Sequence, residues 1–71
     1  MTIHAESISA VHGVETTDAE DIPRAFAFAA KQLAKGEDVE VKVWFSGDRN
    51  VPTTLTRQNY FEVMNTWVVI G

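Results

Sequence analysis

The chain has 71 residues with ten acids against six bases, a net charge of −4, 45% hydrophobic and 23% charged residues, and no cysteine. A chain of this size buries roughly 60% of its unfolded surface, enough for one thin core, which excludes a multi-domain organisation. Its composition excludes disordered and collagen-like classes, and the missing thiols exclude disulfides, thiolate zinc sites, iron–sulfur clusters and a cysteine nucleophile.

Ile3 to His12 alternates partially between apolar and polar residues and reads as a strand that Gly13 ends. Thr16, Thr17 and Asp18 are candidate N-caps. The acids Glu15, Asp18, Glu20 and Asp21 read as a solvated loop and helix start, with Pro23 tolerated in the first turn. The predicted helix runs to about Lys35, with Gly36 as its C′ residue. At 100° per residue, Ile22, Phe26, Ala29 and Leu33 share one sector and form the core face, while Arg24, Lys31 and Lys35 lie opposite. Phe28 points about 160° away from Phe26, so the two cannot share one burial.

Val39 to Phe45 alternates with period two. Val39, Val41, Val43 and Phe45 fall on one face of a strand, and Glu40, Lys42 and Trp44 on the other. Residues 46–55 contain Ser46, Gly47, Asp48, Arg49, Asn50 and Pro52 and read as a polar loop with room for a short strand. Thr56 is an N-cap for a helix of about nine residues with Tyr60, Val63 and Met64 on one face. Trp67-Val68-Val69-Ile70 then reads as a central strand, apolar on both faces. The predicted fold is therefore one small α+β domain over residues 1–71: a three-stranded sheet with two helices on one face, βαβαβ or a close relative. Strand order is left open.

No run approaches the roughly 18 apolar residues of a spanning helix. The N-terminus, with no Lys or Arg before Arg24, lacks a signal-peptide pattern. The expectation is a soluble, unprocessed, cytoplasmic chain without membrane contact. Scattered bases and an acidic total argue against direct nucleic-acid binding, which needs a basic stripe. His4 and Glu6 share a face of the first strand, but two ligands are too few for a metal, and His12 lies about 26 Å further along an extended strand. The serines lack a strained elbow, and Ser46 to Asn50 has one glycine and no lysine with which to cradle phosphate. No catalytic residue, cofactor or metal is expected.

Large aromatics outside the expected core remain, chiefly Trp44 and Phe28. Interface centres favour such residues together with Arg, so Trp44, Phe28, Asp48, Arg49 and Arg57 are the candidate partner-binding residues. The structural alternative packs Trp44 against Trp67 on a half-buried face. The functional expectation is a small acidic protein-binding module, a stoichiometric inhibitor or modulator that is not an enzyme. Anti-restriction and anti-CRISPR proteins carried by phages and plasmids are the leading class. The alternatives are an assembly protein acting as a homodimer or larger homo-oligomer, and a small enzyme or ligand binder with a pocket at a dimer interface.

Overall fold

In the computed structural model, which describes residues 2–48 and 51–70, the chain runs ββαββα: β1 (Ile3–Ser9), β2 (Gly13–Ala19), α1 (Ile22–Leu33), β3 (Glu40–Phe45), β4 (Thr53–Leu55) and α2 (Tyr60–Ile70). All pairings are antiparallel and the strand order is β2-β1-β3-β4. The radius of gyration, 11.2 Å, matches the ~11 Å of a close-packed chain of this length.

Besides the short strand for which residues 46–55 left room, the sheet departs from the three-stranded βαβαβ expectation at two places. First, Gly13 does not merely end a strand: its φ of +82°, open to glycine without a steric cost, turns the chain back, so residues 13–19 pair with β1 in unbroken register from Ile3–Ala19 to Ser9–Gly13. The acidic run read as loop and helix start is thus mostly strand, with β-branched Val14, Thr16 and Thr17 suited to the pleat. His12 falls in the turn. Ser9 secures that turn, since its hydroxyl accepts the N–H groups of Val11 (3.2 Å) and His12 (3.0 Å) and donates to the Asp38 carboxylate (2.6 Å). Helix α1 starts only at Ile22, where Asp21 is the N-cap and accepts the Arg24 N–H at 2.9 Å.

Second, the run Trp67 to Ile70 is the end of α2. Tyr60, Val63 and Met64 recur at helical spacing, and one more step along that stripe reaches Trp67. Its indole stacks on Phe45 (centroids 4.4 Å, 17° between planes) and meets Phe26 edge-on at 5.5 Å. This packing outweighs the strand preference of two adjacent valines. Thr56 does cap the approach to α2: its hydroxyl accepts the Asn59 N–H at 3.2 Å, and the Asn59 side chain accepts the Thr56 N–H at 2.7 Å.

Both helices cover one face of the sheet. Ile3 and Ala5 of β1, Val41 and Val43 of β3, and Leu55 of β4 line it with at most 1% exposure, and Ala25, Phe26 and Ala29 of α1 close over them. Helix α2 is tied to α1 through the Tyr60 hydroxyl, which donates to the Phe26 carbonyl at 2.7 Å. The valine row of β3 therefore packs inward, as its alternation predicts, and the short strand in the 46–55 segment is β4.

Candidate functional site

Among the described residues, no element covers the face of the sheet away from the helices. Cross-strand register builds it in rows, because directly opposed residues share a face: Asp18–His4–Trp44, then Thr16–Glu6–Lys42–Thr54, then Val14–Ile8–Glu40. The middle row is polar throughout, with Lys42 Nζ also 3.7 Å from Glu40. Trp67 to Ile70, read from the sequence as a central strand, add no strand to this face, since they belong to α2. Its apolar content among the described residues is Trp44 at one end and Ile8 with Val14 at the other.

Trp44 lies on the open face and is half-buried. It does not pack on Trp67, which sits across the sheet on Phe45. Its neighbour is His4, whose ring centre lies 5.8 Å away at a tilt of 31°. The His4 Nδ1 is itself held by Asp18 Oδ1 at 2.5 Å. Asp18 fixes His4 and His4 flanks Trp44, so the indole is held in place on a polar surface. By sequence His4 reads as a surface histidine on a strand, with too few neighbours to hold a metal. The signal for its actual role was the shared face of His4 and Trp44, which becomes a contact only once β1 and β3 are known to pair.

Of the five candidate residues, Trp44 and Asp48 come together. They line a cleft of about 380 Å³ at the end of β3 with Phe45, Val51, Thr53 and Trp67. Arg49 lies outside the described residues. Arg57 is far from this end of the sheet and serves the fold, because its guanidinium donates to the Leu33 carbonyl from Nη2 (2.7 Å) and Nε (3.2 Å) and so caps the C-terminus of α1. Phe28 is half-buried on α1, on the helix-covered side and apart from Trp44.

Two further clefts border α1 and α2, one of about 410 Å³ that includes Glu37 and Arg57, and one of about 280 Å³ between Ala30 and Phe61. Arg57, which lines both, is committed to the Leu33 carbonyl. Among the described residues no three His, Asp or Glu side chains converge as metal ligands. The perturbed carboxylates are accounted for by surface partners: the Lys35 ammonium, with Gln32, holds Glu15 below its ordinary range, and the Ser9 hydroxyl does the same for Asp38. No described helix is long and apolar enough to cross a membrane. Compared with protein-family models, curated proteins and solved structures, the chain has no match.

Proposed function

We infer that this domain is a protein-binding module that acts stoichiometrically, by laying its open sheet face and the adjoining cleft at Asp48 over a site on a larger protein. One observation carries this: Trp44, the bulkiest residue type, stands on the uncovered face and is held there by the His4–Asp18 pair. A pre-positioned aromatic ringed by Glu6, Lys42, Asp18 and Asp48 has the composition of an interface centre within a polar rim. Fixing the side chain beforehand lowers the ordering cost of binding.

The mechanism is steric occlusion, with no bond made or broken. The rim is mostly carboxylate, which suits a basic or mixed partner surface in an acidic chain of net charge −4. Small size and acidity suit a blocker of a host defence enzyme, as phage-borne anti-restriction and anti-CRISPR proteins are. A second reading, an assembly role, is favoured by a separate feature: Phe61, Val68 and Val69 form an exposed stripe on the outer side of α2.

The test is capture from a lysate of the source cell on immobilised wild type, Trp44→Ala and Phe61→Ala. A protein retained at one-to-one stoichiometry by wild type and Phe61→Ala and lost with Trp44→Ala supports occlusion through the open face. Retention that Trp44→Ala leaves intact and Phe61→Ala abolishes transfers the function to α2.

A further inference from the structure

We propose that β2 is the seam of a two-fold homodimer in which the four-stranded sheets of two copies join edge to edge. This goes beyond occlusion by the open face, because it concerns the edge of the sheet and a second copy of the chain.

The two edges differ. Strand β4 is three residues long and follows Pro52, two of the devices by which proteins blunt an edge. Strand β2 is seven residues long, pairs with β1 without a bulge, and contains neither proline nor lysine. Among the described residues its outer backbone groups face no strand. Its two acids have partners within the monomer, Glu15 the Lys35 ammonium at 3.0 Å and Asp18 the His4 ring, and a pairing exists that sets neither against another carboxylate.

A second copy fits this edge by symmetry. A two-fold axis normal to the sheet keeps each face on its own side, so opposed residues must have the same parity. Centred on Thr16, the pairing sets Gly13 against Ala19, Val14 against Asp18 and Glu15 against Thr17. All seven residues are used and no like charges are opposed. Centring on Glu15 would oppose two carboxylates, and centring on Thr17 would strand the first residues of β2.

Phe28 supplies the second, independent observation. It lies four residues before Gln32, hence on the same flank of α1, and the Gln32 side chain faces Glu15 of β2, which Lys35 just past the helix end also reaches. That flank overhangs the free edge. Helix α1 packs over β1, β2 and β3, so in the joined sheet the two α1 helices sit about three strand spacings, or ~14 Å, apart. Direct helix packing needs about 8–10 Å. The gap over the seam is one that a half-exposed Phe28 from each copy fills. Both Trp44 faces then point the same way, so the dimer presents two binding surfaces on one continuous sheet.

Sedimentation equilibrium and amide exchange of the full chain, from micromolar to millimolar, test this. The expected result is a monomer–dimer equilibrium ending at twice 7.9 kDa, with amides of β2 gaining protection as concentration rises. Thr16→Lys places two lysines against each other at the axis, while Glu6, opposite in β1, accommodates the new charge within the monomer. It should weaken dimerisation by about tenfold or more, and Trp44→Ala should not weaken it. A monomer mass at millimolar concentration overturns the proposal, as does a dimer insensitive to Thr16→Lys and broken by Trp44→Ala. If Thr16→Lys fails to fold, the wild-type exchange pattern decides: unchanged β2 protection across the concentration range also overturns it. Dimer loss alone leaves partner capture through Trp44 standing, so the two proposals fail separately.

Discussion

The two faces of the sheet are built from the same strands, one residue out of step, and do different work. On the helix side Ile3, Val41, Val43 and Leu55 are at most 1% exposed, whereas on the other side Ile8 is 42% exposed and Trp44 is only half-covered, by His4. Burial on one face supplies the cohesion of a small domain, which leaves the other free to carry charges and one positioned aromatic at little cost in stability. Substitutions should therefore sort by face, and that sorting can be broken by experiment.

The largest effect is expected at Phe26, which is fully buried and meets both Tyr60 and Trp67 edge-on. Phe26→Ala should cost about 3–5 kcal/mol, enough to unfold so small a domain, and circular dichroism should show the loss. Val41→Ala removes two buried methyl groups and should cost about 2 kcal/mol, seen as a lower denaturation midpoint. Arg57→Ala takes the donors from the Leu33 carbonyl and should cost about 1 kcal/mol. Arg57→Lys should recover only part, because one ammonium cannot reproduce the two-nitrogen contact. If Arg57→Ala instead abolishes partner capture with no change in stability, Arg57 belongs to the binding surface and not to the cap.

A smaller effect is expected in acid. Glu15 and Asp38 titrate lower in the folded chain than unfolded, held by Lys35 and Ser9 respectively. Their contribution is complete above the unfolded carboxylate pKa of about 4 and is lost as pH falls through the lower folded value. Thermal midpoints should be level from neutral pH to about 5 and fall below about 4, shallowly, since both groups are at the surface. Ser9→Ala should flatten the part of this acid limb that Asp38 supplies.

What was legible in the sequence was what a single element decides by itself. Alternation in Val39 to Phe45 assigned the two faces of β3 because a strand has only two, and the stripe Ile22, Phe26, Ala29, Leu33 assigned the inner side of α1. What was hidden depended on distant partners. Residues 13–19 look like a polar loop until β1 supplies the ladder that makes them a strand. Trp67 to Ile70 look like a strand until Phe45 and Phe26 receive the indole. Likewise Trp44 could be placed on the open face from its phase, but the His4–Asp18 pair that steadies it is a product of the β2-β1-β3 order, which no local pattern encodes. Arg57 follows the loop in sequence and so reads as part of the candidate surface, whereas the chain carries it to the end of α1.

The division of labour between the faces is tested most directly by the affinity of a Trp44→Ala variant for the protein that the wild type captures, measured alongside its thermal midpoint. A folded variant, destabilised by about 1 kcal/mol through the lost His4 contact, should bind about 2 kcal/mol or more weakly, close to thirtyfold. Unchanged affinity, or a Trp44→Ala chain that fails to fold under conditions where Val41→Ala folds, would contradict the assignment of the open face as the binding surface.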